Sequence, residues 1–166
     1  MNKKFTISIS EKCYKSKPNS VDYARMKFHQ EELTLTEFAE KILQGYSFCH
    51  IFKNDKRSNN NFIYTNFACI DVDDSPISLN DFIKAIDNQP TIAYTTYSNG
   101  LHNLYAYRLL YFFNEKISSS IYPALYDSLC SSIGLNNNKD NCGRVLAQLM
   151  NGCSNANVEY FNTNIV

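Results

Sequence analysis

The stretch Phe67-Ala-Cys-Ile-Asp71-Val-Asp73-Asp74 carries the most specific chemistry in this chain. Residues two apart in a strand point to the same face, so Asp71 and Asp73 project side by side while Ile70 and Val72 point the other way. Neighbouring carboxylates repel unless something positive lies between them. A divalent cation meets that need. Hard oxygen ligands at the end of a rigid strand suit Mg²⁺ or Mn²⁺, and such ions clamp nucleotide phosphates. The competing reading is a solvated strand end, because Asp-Asp-Ser-Pro at 73–76 is also good turn chemistry.

Two further segments bear chemistry. Tyr94-Thr-Thr-Tyr-Ser98-Asn-Gly-Leu-His102 leads into Tyr107-Arg108-Leu-Leu-Tyr-Phe-Phe113. Arg108 interrupts an apolar strand, and a buried guanidinium requires an anionic partner. That partner is either a protein carboxylate or a substrate phosphate, which Arg grips bidentately. Ser98 and His102, at the hairpin tip, could touch phosphate oxygens, although a histidine in a turn is more often merely solvated. Asp140-Asn-Cys-Gly-Arg144 then offers one more carboxylate with a cation four residues on. It reads either as a solvated helix start or as a third metal or catalytic carboxylate, with Arg144 facing the same cleft.

The elements that must position these groups follow from periodicity. Lys3–Ser10 alternates as a first strand, and 11–32 reads as a polar loop with a short amphipathic piece. Thr34-Leu-Thr-Glu37 is a capping box opening a helix with Phe38, Ile42 and Leu43 on one face, ended by Gly45. Ser47–Phe52 reads as a strand and residues 53–61, with Lys53, Lys56 and Arg57, as a flexible polar loop. Phe62–Asp73 is a strand, Ser78-x-x-Asp81 starts a helix, and Thr91–Tyr97 pairs with Leu104–Phe113 as a hairpin about Ser98-Asn-Gly100. Residues 118–132 fit a helix burying Ile121, Leu125 and Leu129. Arg144–Met150 reads as one or two helical turns, and Val158–Phe161 as a last strand. The order predicts an α+β fold, with a mixed or antiparallel sheet and flanking helices.

Composition narrows the function classes. With 166 residues and 44% hydrophobic content, the chain can bury a core without staples, so wholesale disorder is excluded. Sixteen basic residues balance sixteen acidic ones, which argues against a protein that binds polyanions by bulk charge but not against a local patch. No apolar run reaches the ~20 residues of a membrane span, and Met-Asn-Lys-Lys followed by Phe-Thr-Ile-Ser-Ile-Ser does not read as a signal-peptide core. The six cysteines lack zinc-ligand spacing and read as reduced thiols of a cytoplasmic protein, with Cys49 and Cys69 as small hydrophobes. His29, His50 and His102 are scattered, which disfavours a nuclease built on a histidine metal motif. The ending Phe161-Asn-Thr-Asn-Ile-Val, without a polar tail, suggests a fragment of a longer chain.

A strand-end Asp-x-Asp, a hairpin with Ser and a basic residue, and a later Asp together resemble the three-motif plan of the archaeo-eukaryotic primase superfamily. The wording Tyr-Thr-Thr-Tyr-Ser98, Tyr-Arg108-Leu-Leu-Tyr and Asp140-…-Arg144-Val-x-x-Gln148 is most similar to primase-polymerase domains of phage, plasmid and genomic-island replication proteins. The nearest likeness is to the domain that precedes the helicase in staphylococcal pathogenicity-island initiators. The resemblance spans 47–161 and implies an RRM-like catalytic core there, with 1–46 accessory. It implies Asp71, Asp73 and Asp140 as metal ligands for Mg²⁺ or Mn²⁺. It implies Ser98 with His102 or Arg108, and Arg108 preferentially, at the triphosphate, with Arg144 lining the cleft. The partners it implies are nucleoside triphosphates, a single-stranded DNA template crossing Lys53, Lys56 and Arg57, and a helicase domain or subunit. The alternative is a catalytically weak or inactive DNA-binding or assembly module on the same fold.

Overall fold

The computed structural model describes residues 3–135, 141–156 and 158–161. In chain order come β1 (Phe5–Cys13), α1 (Ser20–Arg25), β2 (Phe28–Leu33), α2 (Leu35–Gln44), β3 (Tyr46–Cys49), β4 (Ile51–Phe52) and β5 (Phe62–Ser75). They are followed by α3 (Leu79–Ala85), β6 (Ile92–Thr95), β7 (Tyr105–Ile117), α4 (Tyr122–Ser132), β8 (Leu149–Met150) and β9 (Val158–Phe161). Two antiparallel sheets result, with strand orders β2-β1-β3-β8 and β4-β5-β7-β6-β9. The expected α+β class with antiparallel sheets and flanking helices is what forms. No helix among the described residues is long and apolar enough to cross a membrane.

Alternation along the central strands divides the core in two. Ala68, Ile70 and Val72 of β5, with Tyr107, Leu109 and Tyr111 of β7, pack against α3 and α4. Phe67 and Cys69, with Leu110 and Phe112, face the other way and meet Ile7, Ile9 and Phe48 of the four-stranded sheet and Phe38 of α2. Period-2 geometry carries Asp71, Asp73 and Arg108 on this second face, toward the other sheet. The cleft described below therefore opens between the two sheets, where the apolar core stops.

Local signals act as read at two helices. Thr34 Oγ1 accepts from Glu37 N at 3.2 Å while Glu37 Oε2 accepts from Thr34 N at 2.8 Å, closing the capping box of α2. Gly45 ends that helix at φ +89°, where a Cβ would fall on the Tyr14 carbonyl. Ser78 caps α3 by accepting from Asp81 N. Burial pushes the Cys49 thiol up to about 12, consistent with its packing as a small hydrophobe.

Other expectations need correction. The 11–32 segment contains a strand, β2, with Phe28 and Leu33 buried and polar residues between; as an edge strand it needs only those two anchors. The strand read over 47–52 is broken at His50, so that β3 joins one sheet and β4 the other. Residues 53–61 are not a loose loop but form two 3₁₀ turns, Lys53–Asp55 and Asn59–Asn61. Helix α4 begins at Tyr122, with Pro123 in its first turn, and buries Tyr122, Tyr126, Leu129 and Cys130, whereas Ile121 is 56% exposed. Leu43 is likewise exposed. Arg144–Met150 is not helical: a 3₁₀ turn covers Asn141–Arg144 and the chain then enters β8, because pairing with β3 overrides the local pattern.

Candidate functional site

The β5–β7 register sets Asp71 directly opposite Arg108. Arg108 Nη2 donates to Asp71 Oδ2 at 2.7 Å, with the two side chains 14% and 18% exposed. Arg108 Nη1 donates to the Asn151 carbonyl at 2.8 Å, and the Tyr94 hydroxyl donates to the same oxygen at 2.8 Å. Burial alone would lower the Arg108 pKa, but Tyr94 and Asp71 outweigh it and hold the guanidinium above its usual value. Burial pushes the Tyr94 phenol up, so it stays a donor. Among the described residues, two polar atoms here are buried without a hydrogen-bond partner, Asp71 Oδ1 and Arg108 Nε.

Asn151 joins the parts of the site. Its Oδ1 accepts from Ser47 Oγ of β3 at 2.9 Å, and its Nδ2 donates to the Tyr23 hydroxyl of α1 at 2.8 Å. Its carbonyl, as above, holds Arg108 and Tyr94 of the other sheet. The next residue must be glycine, since a Cβ on Gly152 would lie 2.5 Å from the Tyr46 carbonyl and 2.6 Å from that of Ile42.

These residues floor a cleft of about 370 Å³. Asp71, Asp73, Ser98, Arg108 and Arg57 all line it, so five of the residues singled out from sequence converge. Asp73 is solvent-exposed on the same strand face as Asp71. The other singled-out residues lie elsewhere. Lys56 borders an adjoining hollow, and Lys53 is exposed in its 3₁₀ turn. His102 sits exposed at the hairpin tip at φ +55°, outside the cleft lining. Arg144 pairs with Asp127 at 3.1 Å beside a separate hollow. Asp140 lies outside the described residues. The lining also includes Lys17, Tyr23 and Gln148, which sequence reasoning left as loop or helix. The Asn19-x-x-Asp22 capping box of α1 was a signal that could have placed Tyr23 on a helix.

A divalent ion fits this site in part. The unpartnered Asp71 Oδ1 is a hard, buried oxygen in need of a positive partner, and Asp73 shares its face. Among the described residues no three His, Cys, Asp or Glu side chains gather to hold a metal, so a third ligand would have to come from elsewhere, such as Asp140.

The two antiparallel sheets with flanking helices are consistent with a primase-polymerase (AEP) type of fold, on the following comparison. No family model matches the chain, and no curated protein matches its sequence. Among solved structures, the chain is similar to the AEP domain of the primase-polymerase of cyanophage S-2L, with a TM-score of 0.56 and 13% identity over 97% of this chain and 83% of that one. At that identity the likeness is one of fold.

Proposed function

We propose that this chain is a primase-polymerase domain acting in the DNA replication of a mobile genetic element, catalysing template-directed nucleotidyl transfer. The observation that carries the reading is the placement of Asp71 and Asp73 on one strand face, in a cleft lined by Lys17, Arg57 and Arg108, on an AEP-type fold. Asp71 and Asp73, with Asp140, would hold Mg²⁺ or Mn²⁺, and the bound ions would stabilise the charge on an attacking 3′-hydroxyl and a leaving pyrophosphate. Ser98 and Lys17 would hold the triphosphate, with Arg108 orienting Asp71 beneath it. The single-stranded template would cross the surface of Lys53, Lys56 and Arg57. We read residues 1–46 as accessory to the 47–161 core, supplying Lys17 and Tyr23 to the cleft, and a helicase domain or subunit as the partner, as in pathogenicity-island initiators. The test is primer synthesis on single-stranded DNA with nucleoside triphosphates and Mn²⁺. Product from wild type and none from Asp71→Ala/Asp73→Ala is expected; equal product from both sinks the reading.

A second reading has its own observation. The 2.7 Å pair with Arg108 already occupies one Asp71 oxygen, as in a purely structural ion pair. On that reading the chain is a non-catalytic DNA-binding or assembly module. DNA binding measured by anisotropy would then be salt-dependent and unchanged in the double Asp variant, with no synthesis by wild type.

A further inference from the structure

Tyr23 and Arg57 each line two hollows: the cleft of about 370 Å³ and a neighbour of about 530 Å³. The two hollows therefore adjoin, with Tyr23 and Arg57 at their shared border. Both residues are fixed by the same stretch of chain. Asn151 Nδ2 donates to the Tyr23 hydroxyl at 2.8 Å, and Arg57 Nη1 donates to the Ala147 carbonyl. Asn59 Oδ1 accepts from Ala147 N at 2.9 Å, so the turn carrying Arg57 is clasped at both backbone groups of Ala147.

The far hollow has the chemistry of a strand-binding surface. Lys27 and Lys56 are exposed on its walls, and half-buried Met26 and buried Phe28 supply apolar surface. Its acids are Glu11 and Asp55, and Asp55 accepts from Gln30 Nε2 at 3.0 Å. Asn54 and Asp55, residue types that tolerate the left-handed region, hold φ of +53° and +54° in the turn that presents Lys56. Cations along two adjoining hollows, with an aromatic ring at their border, match single-stranded nucleic acid, whose phosphates pair with Lys and Arg and whose bases stack on aromatic faces.

We infer that single-stranded DNA passes from the cleft between Tyr23 and Arg57 into the hollow walled by Lys27 and Lys56, with Tyr23 as a base-stacking platform and Arg57 as a phosphate clamp. The inference rests on the primase-polymerase reading and adds the path of the strand. It brings in Lys27 and Tyr23 and leaves Lys53 aside.

The experiment measures anisotropy of fluorescein-labelled oligo-dT of 4 and 12 nucleotides with the full chain across a KCl series. Lys27→Ala/Lys56→Ala is expected to weaken 12-mer binding and to flatten the slope of log K against log salt by roughly 1.4, at ~0.7 per lost phosphate contact, with 4-mer binding little changed. Tyr23→Ala is expected to weaken the 12-mer about tenfold and Tyr23→Phe hardly at all, because the ring is what stacks. Helix α1 buries none of its residues, so these Tyr23 changes leave the core intact, which matched melting temperatures would verify. Wild-type-like 12-mer binding and salt slope in both Lys27→Ala/Lys56→Ala and Tyr23→Ala would overturn the path while leaving the primase-polymerase reading in place. Failure of the wild type to bind either oligonucleotide at any salt would overturn both.

Discussion

Asp71 and Arg108 face each other across the β5–β7 ladder and close a 2.7 Å ion pair at the floor of the cleft. The pair leaves Asp71 Oδ1 and Arg108 Nε buried without partners among the described residues, so it neutralises charge without completing the hydrogen bonding there. The carboxylate serves the fold through one of its two oxygens.

Asp71→Asn removes the anion and leaves the guanidinium largely buried. The expected loss of stability is on the order of 2–4 kcal/mol, somewhat below the full cost of breaking a wholly buried pair. Asp71→Asn/Arg108→Met removes both charges and should recover most of that loss. Urea denaturation of the two single variants and the double variant measures the coupling, expected to exceed about 1 kcal/mol.

An Asp73 variant tests the proposed chemistry apart from the fold. It is solvent-exposed, so Asp73→Asn should change stability by no more than about 0.5 kcal/mol. The same variant should lose Mn²⁺ binding, followed by electron paramagnetic resonance, and should lose primer synthesis. Retained synthesis would argue against a metal-ligating role.

His50 should make the fold acid-sensitive. Thr65 Oγ1 donates to the Phe67 carbonyl at 2.9 Å, so its 2.8 Å contact with His50 Nδ1 requires the histidine to donate there. Nε2 is then an acceptor with no partner among the described residues, within an aromatic surround of Phe62, Phe67 and Tyr122. Burial lowers the His50 pKa to about 3. Between roughly pH 6.5 and 3 the unfolded chain binds a proton there that the folded chain does not, so stability falls as pH drops through that window, by up to about 1.4 kcal/mol per pH unit. His50→Phe should flatten this fall between pH 6.5 and 5, as read from denaturation midpoints.

Gly152→Ala should shift the chain that holds Arg108. The added Cβ meets the Tyr46 and Ile42 carbonyls, both backbone, at 2.5 and 2.6 Å. Relieving the clash must move Asn151, whose carbonyl receives Arg108 and Tyr94. A loss of about 1–3 kcal/mol is expected from thermal melts, with a fall in synthesis larger than the stability loss accounts for.

Much of the site was legible because its signals are local. The same-face placement of Asp71 and Asp73 follows from two-residue alternation, and the caps of α2 and α3 from side chains three residues apart. The partner of Arg108 was not legible: a protein carboxylate and a phosphate fit an interrupted apolar strand equally well. Helix α4 misled because its buried face is made of tyrosines, which the aliphatic spacing of Ile121, Leu125 and Leu129 outweighed. Strand β2 was hidden because an edge strand buries only its ends.

The sequence by itself determined the class of fold, the carboxylate pair and the basic hairpin strand, all of which depend on spacings within one element. Tertiary structure alone decided which charges share the cleft. The β5–β7 register brings Asp71 to Arg108 across 37 positions of chain, and Asn151 reaches Tyr23 across 128. Such long-range partners are selected by how the two sheets pack around a common apolar core, and local periodicity carries no record of that packing.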